Sequence, residues 1–118
     1  MDQIKKLLGD FADAWGRRDV GAVVELFADD AVYFASVGPE PGSRATGKAA
    51  IRELIEAMFA VDQGATSETT EPVIFDDGAF WSWRYTLPDG SIELGCDLLR
   101  VADGKITLKD AYRKVRAG

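Results

Sequence analysis

Asp97 is the residue of this chain best placed to do chemistry. It stands in GCDLLRVADGKI, residues 95–106, as a single carboxylate inside an apolar run that ends in a Gly-containing turn. Burying a charge is costly unless a partner or a task compensates, so Asp97 is either half of a structural ion pair or a catalytic or ligand-binding group. Downstream lie Lys109, Asp110, Tyr112 and Arg113. Lys109 and Asp110 are neighbours, so on a strand they point to opposite faces and only one of them can serve a given site. Cys96 faces away from Asp97 by the same alternation and reads as an inert thiol rather than a nucleophile. Asp76, Asp77, Asp89 and Asp103 belong to DDG, PDG and ADG and are turn residues.

Several chemistries are excluded by composition. There is no histidine and only one cysteine among 118 residues. That removes a zinc site, a Ser-His or Cys-His nucleophile and an internal disulfide, and no metal or cofactor is expected. The net charge of −6 opposes binding to nucleic acid. Lys5, Lys6, Arg17 and Arg18 are interrupted by acids instead of forming a basic stripe. No window approaches the roughly 18 apolar residues of a membrane span, so the expectation is a soluble, cytoplasmic protein with no membrane partner. An apolar content of 47% with 29% charged residues fits one domain over residues 1–118.

The elements that must position these residues follow from periodicity. Ile4, Leu7, Leu8, Phe11, Ala14 and Trp15 recur at three- and four-residue spacing and predict an amphipathic helix from about residue 2 to 17. Asp19 can cap a short second helix whose stripe is Val20, Val23, Val24 and Phe27. AVYFASVG then alternates as a strand, and GPEPGSRATG is a loop. Thr46 is placed to cap a third helix, GKAAIRELIEAMFA, with Ile51, Leu54, Ile55, Met58 and Phe59 on one side. From about residue 65 the period becomes two. TSETTEPVIFDD, AFWSWRYTL, SIELGCDLLRV and KITLKDAYRKV are strands separated by hairpin-type turns. Three helices followed by a meander imply an α+β domain with a curved, mostly antiparallel sheet wrapped on the helices.

GRRDVGAVVELFADDAVYF, TGKAAIREL and the closing CDLLRVADGKITLKDAYRKV resemble the nuclear transport factor 2-like superfamily, within it the ketosteroid isomerase and SnoaL-like polyketide cyclase branch. The likeness spans nearly the whole chain. It implies a cone-shaped, cystatin-like α+β barrel enclosing an apolar pocket. The superfamily hosts isomerases, cyclases, epoxide hydrolases, dehydratases and non-catalytic modules, so the fold alone leaves function open.

The steroid isomerases use a carboxylate base and an oxyanion hole built from a tyrosine and a protonated aspartic acid. By the resemblance, that aspartic acid falls on Asp97, the base on Ala35 and the tyrosine of the first helix on Phe11. Two of the three groups are missing, which disfavours that mechanism. Strand parity that turns Ala35 inward also turns Tyr33 inward. On the closing strand the inward set is Lys109, Ala111 and Arg113. The hairpin TLPDGSI is two residues shorter than in the isomerases, which turns Trp81, Trp83 and Tyr85 inward and leaves Ser82 and Arg84 outside. Phe11, Trp15, Ala35, Phe59 and Leu99 complete the expected ligand-binding wall together with these aromatics and Lys109. Asp97, Tyr33 and Arg113 are the catalytic candidates.

Burial favours a neutral Asp97, whereas an arginine at about 4 Å in an effective dielectric near 20 favours the carboxylate by roughly 4 kcal/mol. The two effects nearly cancel, so Arg113 decides whether Asp97 is a neutral hydrogen-bond donor or an ionised partner, and the ionised pair is expected. Three functions remain open. The first is a cofactor-free isomerase, cyclase or hydratase, or an epoxide hydrolase-like enzyme, acting on a small apolar molecule. The second is a non-catalytic binder of such a molecule, and the third a protein-interaction module. Apolar residues of both parities in PVIFDD and SIELGCDLL lead us to expect a homodimer through the outer sheet face.

Overall fold

The computed structural model describes residues 2–39 and 41–114. Helix α1, Asp2–Gly16, buries Ile4, Leu7, Leu8, Phe11 and Ala14, as their spacing on one helical face requires. Asp19 caps α2, Val20–Glu25, its side chain accepting from the Ala22 N–H at 3.1 Å. Phe27 does not extend that helix. It opens strand β1, Phe27–Phe34, and is fully buried there.

The segment read as a loop holds a short strand, β2, Arg44–Thr46, which pairs antiparallel with the end of β1. Thr46 is engaged opposite Val32 in this ladder and is not the helix cap. Gly47 takes the N-cap position of α3, Lys48–Val61, at φ 87° with no side-chain capping bond, a backbone region open chiefly to glycine. Ile51, Ile55 and Phe59 form the buried side of α3.

The remaining strands form the meander with one change. TSETTEPVIFDD yields two short strands, β3, Thr66–Thr69, and β4, Val73–Phe75, both paired with β5, Gly78–Thr86. Pro72 intervenes, and proline has no N–H to donate to a ladder. Next come β6, Ile92–Ala102, and β7, Lys105–Arg113. Val115, the end of the last expected strand, lies outside the described residues. The sheet order is β2-β1-β7-β6-β5-β3, with β1 and β7 parallel and the other pairs antiparallel. It is a curved mixed sheet that stays open, with the helices packed on it. Phe11 of α1 joins the layers, its ring 6.4 Å from Phe27 and 6.3 Å from Trp81.

Candidate functional site

Between the helices and the sheet lies a cavity of about 650 Å³. Strand alternation decides which side chains reach it. Trp81, Trp83 and Tyr85 of β5 line it, with Glu93 and Asp97 of β6, Tyr33 of β1, and Lys109, Ala111 and Arg113 of β7. Phe11 and Trp15 enter from α1. Three members of the expected wall do not line the cavity. Leu99 is fully buried in the core, Ala35 is buried with its N–H bonded to the Ser43 carbonyl, and Phe59 packs edge-on against Trp15 beneath Arg18. Phe59 follows the core stripe of Ile51 and Ile55, while Leu54 and Met58, one residue back along the helix, carry the cavity-facing stripe.

Asp97 has a partner, but it is Lys109. The Lys109 Nζ lies 3.4 Å from Asp97 Oδ2, whereas Arg113 is bonded to Glu93 at 2.6 Å. The register explains the exchange. Asp97 stands opposite Ala111, so Lys109 and Arg113 are its two diagonal neighbours across the ladder. Arg113 stands opposite Gly95, which makes Glu93 a second diagonal carboxylate for it, and that pair is about one-third exposed. Asp97 and Lys109 are 6% and 3% exposed. The ion pair thus forms where water is excluded, and the arginine serves the more exposed acid.

Lys109 is held from several sides. Besides Asp97, its ammonium donates to the Tyr33 hydroxyl at 3.0 Å. It lies over the rings of Tyr33, Trp15 and Phe11 at 4.5, 5.3 and 5.7 Å from their centroids. Aromatic faces attract a desolvated cation by about 2 kcal/mol or more. Burial works against the charge on Lys109, but Asp97 and Tyr33 outweigh it and hold the amine above its ordinary range, so it stays an ammonium. Burial likewise pushes the Tyr33 phenol up, Lys109 only partly offsetting it, and the phenol keeps its proton at neutral pH. Because Lys109 can only donate, the Tyr33 oxygen accepts and its own O–H remains available. Asp97 Oδ1 accepts from the Trp83 indole N–H at 3.2 Å.

Trp83 reaches Asp97 because Gly95 faces it across the ladder. A Cβ on Gly95 would overlap the Trp83 ring and the Tyr112 carbonyl. Cys96 lies on the other side of the sheet, opposite Ser82 and Tyr112, with its thiol pushed up by burial and by Asp97. Asp110, adjacent to Lys109, accepts from the Tyr112 hydroxyl at 3.0 Å on that outer side.

Sequence reasoning did not find Asp62. It follows Val61 as the C-cap of α3, lines the cavity and faces Arg18 at 3.4 Å. The signal was present, since Leu54, Met58 and Asp62 are four residues apart and share a helix face. Among the described residues no cluster of three His, Cys, Asp or Glu could hold a metal ion, and no helix is long and apolar enough to cross a membrane.

Residues 8–109 match the SnoaL-like domain. A nuclear transport factor 2-like protein of unknown function from Mesorhizobium loti is 32% identical over 97% of this chain and 93% of its own, with a TM-score of 0.84. A Kribbella flavida protein provisionally described as a ketosteroid isomerase is 20% identical over 99% of this chain and 82% of its own, with a TM-score of 0.81. A provisionally described polyketide cyclase from Sinorhizobium meliloti is 23% identical over 90% and 93%, with a TM-score of 0.77. At these lower identities the last two show the fold alone. Among curated proteins nothing matches the chain.

Proposed function

The chain belongs to the SnoaL-like family, and from that premise we propose that it binds a small apolar molecule through an electron-rich oxygen, such as a ketone carbonyl, presented to Tyr33. One observation carries this reading. The Tyr33 hydroxyl accepts from the buried Lys109 ammonium, which leaves the phenol proton to be donated from a wall otherwise dominated by aromatic and aliphatic groups. A cation behind a hydroxyl strengthens it as a donor. Negative charge developing on a bound oxygen would meet both, the arrangement that accelerates enolisation, cyclisation or addition of water without a cofactor.

In this scheme Tyr33 is the donor and Lys109 the electrostatic stabiliser, and Asp97 holds Lys109 while offering its remaining lone pairs as a proton acceptor. Arg113, bonded to Glu93, belongs to the cavity rim instead of the reacting centre. The second reading is a binder without turnover. It is favoured by the engagement of both Asp97 oxygens, by Trp83 and Lys109, and by Ala35 and Phe11, which have no titratable atom where the steroid isomerases carry theirs.

2-Tetralone separates the two. Binding quenches the tryptophans, and exchange of its α-protons in deuterated buffer reports proton transfer. We expect binding and exchange faster than in buffer alone, both reduced in Tyr33→Phe. Binding with no acceleration would establish the reading of a binder without turnover, and no binding at all would contradict both. We further propose that the protein is a homodimer through the outer sheet face, where Phe34, Phe80, Leu94 and Tyr112 are exposed.

A further inference from the structure

Away from Tyr33 the cavity reaches a charged pair, and a second hollow lies behind it. The contacts run in series. The Tyr33 hydroxyl meets Lys109, Lys109 lies over the Trp15 ring at 5.3 Å, and the Trp15 indole N–H donates to the Tyr85 hydroxyl at 3.0 Å. The Tyr85 hydroxyl donates in turn to the Asp62 carboxyl, whose Oδ2 faces Arg18 Nη2 at 3.4 Å. Asp62 lines the main cavity, whereas Arg18 lines a separate hollow of about 470 Å³ with Phe59, and Ser67 of β3 lines both. The pair therefore stands across the boundary between the two.

Arg18 holds that place at a cost to its backbone. Its φ of 57° lies in the left-handed region, which is uncommon for a residue with a side chain and open to glycine without penalty. The side chain folds back over the Phe59 ring at 4.9 Å, and the Arg18 N–H and Nη1 both donate to the Trp15 carbonyl, at 3.0 and 2.9 Å. A glycine would close the turn after α1 more easily and leave the boundary unfilled. Strain kept where two hollows meet points to a role for the guanidinium beyond the turn.

We propose that the Arg18–Asp62 pair is the end wall of the ligand cavity and sets the longest apolar chain that a molecule held at Tyr33 can carry in that direction. An apolar chain that parted the pair would leave two charges facing hydrocarbon, which is costly. With the pair removed, the chain would continue into the second hollow. The proposal rests on the Tyr33 reading given above.

The test measures Kd by calorimetry for the unbranched 2-alkanones from 2-hexanone to 2-tetradecanone. Each added methylene that finds room should tighten binding about fourfold, and in the unmutated protein this gain should stop at a limiting chain length. In Arg18→Gly with Asp62→Ala, which opens the boundary, suits the backbone conformation and strands no charge, the gain should continue to longer chains. Should that variant fail to fold, Arg18→Gly alone carries the same expectation. Arg17→Ala, at an exposed side chain paired with Asp13 and Asp19, should leave the limit where it is. A pair that only ties α1 to α3 would alter stability and not the limiting length. The same limit with and without the pair, a limit that Arg17→Ala also moves, or no limit in the unmutated protein would overturn the wall and leave the Tyr33 reading intact. Binding of none of the ketones would remove the Tyr33 reading and this inference with it.

Discussion

At the scale of single residues, the central event is that a buried carboxylate chose a lysine over an arginine. Asp97 was legible as a residue needing a partner, because it is the single carboxylate within its apolar run. The partner was not legible. Lys109 and Arg113 are equivalent diagonals on paper, and they are separated by the claim of Glu93 on Arg113 and of Tyr33 on Lys109. The consequence is measurable by urea melts of a double-mutant cycle. Lys109→Met would strand a buried carboxylate and should cost about 3–5 kcal/mol, while Lys109→Met with Asp97→Leu should cost much less. The coupling should be about 1–3 kcal/mol. Arg113→Leu, at a partly exposed pair, should cost only about 0–1 kcal/mol. Additive effects of Lys109 and Asp97, or a large loss at Arg113, would contradict the assignment.

At the scale of elements, long periodic segments were readable and short ones were not. Helices α1 and α3 carry strong periods, so their faces could be assigned before their contacts were known, whereas the inward face of β5 followed from the length of its hairpin and not from its period. β2 and β4 are three residues each, too short for a period, and Phe27 satisfies a helical stripe and a strand face equally well. The aromatic wall depends on a glycine whose role no pattern reveals. Gly95 lets Trp83 lie across β6 and bond Asp97. Gly95→Ala should therefore displace the indole at a cost of about 1–3 kcal/mol from overpacking, seen as a lower urea midpoint and a shifted tryptophan emission. Unchanged stability and emission would mean that Trp83 is not held there.

At the scale of the whole molecule, the α+β architecture was readable from the change of period near residue 65, and the parallel β1–β7 pairing that completes the sheet was not, because strand order leaves no local mark. The outer face exposes the apolar side chains of Phe34, Phe80, Leu94 and Tyr112, which the proposed second copy would cover. Sedimentation equilibrium should report a dimer at micromolar concentration that Leu94→Glu weakens, and a monomer at that concentration would contradict this proposal. The claim on which the functional account turns is that the Tyr33 hydroxyl, set by Lys109, grips the oxygen of a bound ketone. The most direct test is the infrared carbonyl stretch of chalcone labelled with 13C at the carbonyl, recorded bound to the unmutated protein and to Tyr33→Phe. The account predicts a lower frequency in the unmutated protein than in an apolar solvent, returning toward the solvent value in Tyr33→Phe. The same frequency in both proteins would contradict it.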